Sequence, residues 1–300
     1  MSNREILTNG PESVVQHLEP NQSTAGSAYS FDRMWEQSVL TYHEILPSGS
    51  QYLYGVTQAQ FQEHLFLLAS SASPLSSGEQ AALITFDDGH RSNFEQAFPL
   101  LEQFGLKAVF FVLSGCVGKS DKYLSWDQAR QMVSAGHRVQ SHGWSHRLLT
   151  QCSQNDLEEE LTWSKHELED HLGVEVVAIS APGGRWDDRI VNACARVGYK
   201  YLYHSNPWLP PSFRGGIRLQ GRHMVTRLMG PKELQRLIQP SEGRRLYFRF
   251  LYGAKERVRV MLGDRLYHNL WCRLANWSPR EGMEIEIDGD SKPERKSRIA

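Results

Sequence analysis

Two adjacent carboxylates, Asp87 and Asp88, end the apolar run Ala82-Leu83-Ile84-Thr85-Phe86 and are followed by Gly89. Side chains alternate along an extended chain, so the two acids leave it in different directions and can do different work. One can hold a metal ion while the other handles protons. A second reactive group lies downstream in His142-Gly143-Trp144-Ser145-His146, where the spacing of the two imidazoles predicts that both share one face of a turn. Asp88, His142 and His146 make a carboxylate-plus-two-histidine set that leaves coordination positions open for water and substrate, as a catalytic metal site requires. The same set also holds non-haem iron in oxygenases. Those sit on antiparallel barrels, and the pattern of elements in this chain is a different one.

The elements that must position these groups alternate between strand and helix. Ser38 to His43 reads as the first strand, and His43 at its end is either a hydrogen-bonded strand-end histidine or a substrate contact. Thr57-Gln58-Ala59-Gln60 has the form of a capping box, with Phe61, Leu65 and Leu68 following at helical spacing. The acids close the next strand, which follows a Ser/Gly loop at Ser76, Ser77 and Gly78. An amphipathic stretch from Asn93 to Phe104 is stopped by Gly105, and Ala108 to Leu113 is again a buried strand. Ser125 to Gln128 repeats the capping box, Val139 leads into the histidines, and Asn155 to His171 predicts a long surface helix. Val174 to Ser180 runs as a strand into Ala181-Pro182-Gly183-Gly184-Arg185-Trp186, and Tyr199 to Tyr203 is a strand ending at His204. This alternation predicts an α/β fold with a parallel sheet, open or closed into a barrel, whose polar groups converge at the carboxyl ends of the strands.

Length and composition set further bounds. The 300 residues suffice for one barrel-sized domain with extensions, and a net charge of -1 gives no case for nucleic-acid binding. Cys116, Cys152, Cys194 and Cys272 form no C-x-x-C pair, so neither a disulfide framework nor a zinc knuckle is expected. No apolar run approaches bilayer length, and the polar segment bearing Arg4, Glu5, Glu12 and Glu19 lacks the apolar core of a secretory signal. The expected location is cytoplasmic. Four regions are expected: a polar mobile arm at 1–35, the strand–helix domain at 36–240, a basic aromatic helical extension at 241–279 and a charged tail at 280–300. The extension interleaves Arg244, Arg245, Arg249, Lys255, Arg257, Arg259, Arg265 and Arg273 with Leu246, Tyr247, Phe248, Phe250, Tyr252, Trp271 and Trp277. Such a segment can lie on an anionic membrane through 244–277, at the inner face, or pack on the domain and expose its arginines.

Thr85-Phe86-Asp87-Asp88-Gly89 followed by His142-Gly143-Trp144-Ser145-His146 resembles the polysaccharide deacetylases, the NodB-homology group of carbohydrate esterase family 4. Their first motif reads T-F-D-D-G and their second H-[ST]-x-x-H, and the likeness runs from about Thr41 to about Thr226. Gly143 departs from the second pattern. The resemblance implies a distorted parallel (β/α) barrel of about seven strands with Asp88, His142 and His146 on a divalent metal, zinc being the first choice, and Asp87 as the general base. It implies removal of N-acetyl groups from an amino sugar in a polysaccharide or lipid-linked saccharide. The family's third motif, R-P-P-Y-G, is replaced by Ser180-Ala181-Pro182-Gly183-Gly184, so the turn is kept without its arginine, and Arg185 could approach in its place. Pro182, Gly183 and Arg185 become substrate-side candidates, as do His43 and Trp208. The late L-x-L-H motif has no clear counterpart, which leaves His223, or alternatively His204, as the expected general acid. Two other readings stay open: a cyclic amide or imide hydrolase of the same fold, and a catalytically silent carbohydrate-binding member of a polysaccharide-assembly complex.

Overall fold

The computed structural model describes residues 37–49, 51–71, 80–263 and 266. The expected arm at 1–35, the loop at Ser76 to Gly78, the tail at 280–300 and most of the extension beyond 263 lie outside these residues.

Seven parallel strands form the body. They are β1 (Val39–Tyr42), β4 (Leu83–Phe86), β5 (Ala108–Val112), β6 (Arg138–Ser141), β7 (Ala178–Ser180), β8 (Tyr201–His204) and a last strand in two pieces, β10 (Ile217–Gly221) and β11 (His223–Met224). The first six pair in that order, all parallel. β10 then pairs with β8, and β11 pairs with β1. One strand therefore changes neighbours at Arg222 and closes the ring. This is the expected α/β barrel of about seven strands, and its distortion is located at that switch. A parallel pair β2 (Glu44–Leu46) and β3 (Gly55–Thr57) lies outside the ring, and β9 (Ser212–Arg214) pairs antiparallel with β10.

Alternation along the strands builds two apolar layers. Val39, Leu83, Val109, Phe111, Ala178, Tyr201 and Tyr203 fill the barrel interior. Leu40, Tyr42, Ile84, Phe86, Phe110, Val139, Ile179 and Leu202 face outward into the layer under the helices. Phe86 stacks on Phe110 at 4.8 Å with the rings 12° apart. Burying each such ring contributes about 1.5–3 kcal/mol. Both faces of β1, β4, β5, β7 and β8 are buried, which explains apolar runs with no polar alternation.

The covering helices are α1 (Gln58–Ser70), α2 (Phe98–Gln103), α3 (Trp126–Ser134), α4 (Gln154–Leu172), α5 (Asp188–Val197) and α6 (Pro231–Ile238), with α7 (Glu242–Leu262) following. Ser125 and Gln128 form the full capping box that their spacing predicts. At α1 only half of the box forms: Thr57 accepts from the Gln60 N–H, while the Gln60 side chain donates to the carbonyls of Arg227 and Met229. The amphipathic stretch before Gly105 begins as a π turn over Asn93–Ala97, and the Asn93 amide donates to the His43 carbonyl at 2.7 Å. The strand expected from Val174 is shorter, because the carbonyl of Gln140's side chain takes the N–H groups of Val177 and Ala178 just before β7.

His137 shows how burial fixes protonation in this core. Its Nδ1 accepts from the Ala108 N–H, and its Nε2 donates to Glu102. Burial pushes its pKa down to about 4 despite Glu102. Since the unfolded imidazole takes its proton near its ordinary pKa and the folded one only near 4, stability is lost as pH falls across that window. The limit is about 1.4 kcal/mol per unit of difference. Urea midpoints should therefore fall between pH 7 and 4, with a shallower slope in His137→Gln; an equal slope would show that His137 does not contribute.

Candidate metal centre

Asp87 continues the inward-facing set of β4 after Leu83 and Thr85, so its carboxylate lies at the carboxyl mouth of the barrel. It is buried and held at both oxygens. Arg222 Nη1 donates to Oδ1 and Nη2 to Oδ2, each at 2.7 Å, and Ser180 Oγ donates to Oδ2 at 3.2 Å. Arg222 is itself among the largest fully buried side chains, lies over the Phe111 ring at 5.3 Å, and donates to Ser180 Oγ at 2.6 Å. Burial opposes the charged carboxylate of Asp87, but Arg222 and then His142 outweigh it and hold its pKa below the usual range.

The arginine missing at Ser180 is thus supplied from the closing strand. Ser180 is small enough to let the guanidinium reach Asp87 across the barrel, and its hydroxyl bridges the pair. Arg222, rather than Arg185, is the charged partner of Asp87.

Asp88 turns the other way because its backbone is left-handed, at φ 72°. Gly89 continues that conformation at φ 70°, and a Cβ there would stand 2.9 Å from Val112 Cβ. Asp88 Oδ1 lies 3.3 Å from His142 Nε2 and 3.4 Å from His146 Nε2. The ligand atoms of all three residues fall within 4.8 Å of one another. Two donors on a tetrahedral zinc-sized ion at ordinary bond lengths stand about 3.4 Å apart, so the cluster fits such an ion. The imidazoles are prepared for it. Nδ1 of His142 donates to the Ser180 carbonyl at 2.9 Å, which turns Nε2 towards Asp88. Burial opposes a charged His142, yet Asp87 and Asp88 raise its pKa above the ordinary value. Burial lowers His146 to about 4, so its ring is neutral near pH 7. Asp88 is held well below the usual carboxylate range against burial, chiefly by His142 and His146.

The two histidines do not share a helical turn, as their spacing predicts. They converge through an irregular loop in which His146 is left-handed at φ 65°. Asp88 and His146 are the non-glycine residues with positive φ among those described, and both are cluster members; strain of this kind persists where surrounding contacts over-determine it. Here α4 supplies those contacts. Buried Glu160 accepts from the N–H groups of Trp144 and Ser145, both at 3.0 Å, and from the Ser145 hydroxyl. Ser164 donates to the Gly143 carbonyl, and Ser141 accepts from the Gly143 N–H. From the other side, the N–H groups of Ser114 and Gly115 bond the carbonyls of Gly143 and Trp144. These two N–H groups are thereby engaged in holding the loop and are not free to serve as oxyanion donors.

The remaining sequence candidates divide. His43 continues the inward set of β1, after Val39 and Thr41, and so stands at the mouth; its ring stacks on Tyr54 at 4.8 Å, and it lies close enough to Asp87, Asp88 and His146 to bear on their ionisation. Pro182 and Gly183 form a 3₁₀ turn at the rim, with Pro182 facing Gly143. Arg185 follows that turn, half-buried. His223 is a correction: it is paired in register with Leu40, so it faces outward, packs on Trp208 at 5.1 Å, and is pushed to about 4 by burial alone. His204 continues the outward face of Leu202, and its Nδ1 accepts from the Asn206 N–H. Trp208 is a second correction, buried between His223 and Phe248 rather than presented to a sugar.

Comparison with known proteins agrees with this geometry. Residues 75–202 match the family model described as polysaccharide deacetylase. The Bacillus subtilis protein YxkH, provisionally named a polysaccharide deacetylase, is 23% identical over 214 residues, covering 66% of this chain and 74% of its own. A peptidoglycan-N-acetylglucosamine deacetylase of Bacillus cereus is 27% identical, over 49% of this chain and 67% of its own. Among solved structures, the Streptococcus pyogenes deacetylase PplD in complex with acetate superposes with a TM-score of 0.60 at 26% identity, covering 68% of this chain and 98% of that one.

Glu160 shapes the loop without joining the cluster. Glu160→Ala should lower divalent-metal affinity about 10–100-fold and stability by about 2–4 kcal/mol, read by calorimetric titration and urea unfolding. Unchanged metal affinity would show that the loop holds its shape without it.

Proposed function

We propose that this chain, whose residues 75–202 match the polysaccharide deacetylase family model, is a metal-dependent hydrolase removing N-acetyl groups from an amino sugar in a polysaccharide or lipid-linked saccharide. The observation that carries the reading is the juxtaposition at one mouth of a three-ligand cluster and a separate, ionised carboxylate locked by an arginine.

Asp88, His142 and His146 would hold a divalent ion, and we take zinc as the best match to one carboxylate and two imidazoles. Once bound, such an ion polarises the acetamide carbonyl and makes a neighbouring water more acidic. Asp87 takes the proton of the attacking water. Its low pKa keeps it unprotonated and ready, and the bidentate clamp of Arg222 fixes its direction. The water oxygen bonds to the carbonyl carbon, the C–N bond breaks, and the leaving nitrogen needs a proton. His43 is the imidazole that reaches the mouth from the inward face of a strand, and we assign it as the proton donor in place of the outward-facing His223. Pro182, Gly183 and Arg185 border the same opening and would line the sugar.

Asp87→Asn should abolish acetate release from acetylated chitooligosaccharides while leaving bound metal in place. His43→Gln should lower kcat by about 10²–10⁴-fold, the usual contribution of general acid catalysis. Retained activity in Asp87→Asn would remove the base assignment. Arg222→Met carries a signed pH prediction. Without the guanidinium the pKa of Asp87 rises, so activity is lost at a higher pH on the acid side than in the wild type. A pH–rate profile whose acid limb does not move would show that Arg222 leaves the ionisation of Asp87 untouched.

A further inference from the structure

Among the described residues, the helix α7 meets the barrel along one side. Phe248 stacks on Trp208 with centroids 4.8 Å apart and planes within 9°, and Arg244 lies over the Phe248 ring. Tyr252, one turn further, lies close enough to Tyr54 to add to the rise that burial gives its phenol pKa. Both Trp208 and Tyr54 belong to loops beside the mouth, so α7 borders the opening that holds the metal cluster.

Among the described residues, large apolar side chains are exposed on the opposite side of the helix. Leu246 is 65% exposed, Phe250 73% and Met261 85%, with Tyr247 and Val258 also exposed. At 3.6 residues per turn these positions form one stripe, centred roughly 150° around the axis from Phe248 and Tyr252. Arg249 flanks one edge of the stripe and Arg244 the other, Arg245 and Lys255 lie further round towards the barrel side, and exposed Arg257 stands within the stripe about one turn before Met261. Across the whole helix six basic residues stand against two acids, Glu242 and Glu256. Among the described residues no helix is long and apolar enough to cross a membrane.

We infer that α7 is an interfacial helix that docks this protein on an anionic lipid surface, its apolar stripe among the acyl chains and its arginines at the headgroups. Charge decides between the occupants of the stripe. Pairing two copies through it would set basic edge against basic edge, since both edges carry arginine. An anionic bilayer satisfies both edges and the apolar centre at once. Docking in this way brings the barrel mouth to the lipid surface, where it would meet a glycan that is itself membrane-anchored. That last step rests on the deacetylase reading; the docking does not.

The test is co-sedimentation of the full chain with vesicles of phosphatidylcholine alone and with phosphatidylglycerol added. Alongside the wild type run the double variants Phe250→Glu/Met261→Glu and Arg245→Glu/Arg249→Glu, whose side chains are solvent-exposed. The expected result is binding to phosphatidylglycerol vesicles roughly tenfold or more tighter than to phosphatidylcholine, lost in both variants and weakened by salt. Hydrolysis of a soluble acetylated chitooligosaccharide should be the same in all three proteins. Absence of vesicle binding, or equal binding by the variants, overturns the inference. So does a wild-type dimer in sedimentation velocity that Phe250→Glu/Met261→Glu dissociates while vesicles are ignored. If vesicle binding follows α7 but no protein releases acetate, the docking stands and the deacetylase reading fails.

Discussion

The buried pair between Asp87 and Arg222 ties the site to the closure of the barrel. Arg222 sits where the last strand leaves β8 and joins β1, and its guanidinium spans the interior to the acid at the end of β4. Two charges taken out of water repay their desolvation only with excellent geometry, and replacing such a pair by packed apolar groups is often neutral or stabilising. Removing one partner alone is strongly destabilising, by about 3–5 kcal/mol. The pair is better understood as a device that fixes register and charge state. Slipping the closing strand by one residue would turn Arg222 out of the barrel and leave Asp87 unpaired in the interior. The fold and the ionisation of the acid therefore depend on the same contact.

The Asp88, His142 and His146 cluster rests on a second layer of constraint. Asp88 and His146 both adopt left-handed backbone, which is uncommon for any residue but glycine although Asp and His tolerate it better than most, and His142 is oriented through the Ser180 carbonyl. Ser180 thus serves both halves of the site, its carbonyl aligning a cluster histidine and its hydroxyl bridging Asp87 and Arg222. On the outer side Glu160 and Ser164 of α4 hold the histidine loop by its backbone. A long surface helix contributes to the centre by placing two buried polar groups on the loop it covers.

Much of this was legible in the sequence because the acids and histidines of the candidate site are close to their strands. Strand–helix alternation gave the parallel sheet, the family resemblance implied its closure into a barrel, and the Asp-Asp-Gly end of β4 with the two histidines located the cluster. What could not be read was which distant residue completes each group. Arg222 lies 135 positions from Asp87, and no local period links them; the one available signal was Ser180, a gap in the family pattern that required an arginine from elsewhere. His223 drew attention by type and place in the chain, but strand alternation turns it outward as soon as Arg222 faces in. His43 was visible as a strand-end histidine, and only the inward position of Thr41 two residues earlier decides that it reaches the mouth. Trp208 was read as a sugar platform because its cover, Phe248, comes from a helix far along the chain.

The central claim is that Asp88, His142 and His146 form a metal centre, and elemental analysis of the purified protein tests it most directly. The account predicts about one divalent ion per chain after incubation with zinc and dialysis, lost in His146→Ala while the variant keeps a cooperative unfolding transition. A wild-type protein that remains empty in excess zinc, or a His146→Ala variant that retains the ion as tightly, would contradict it.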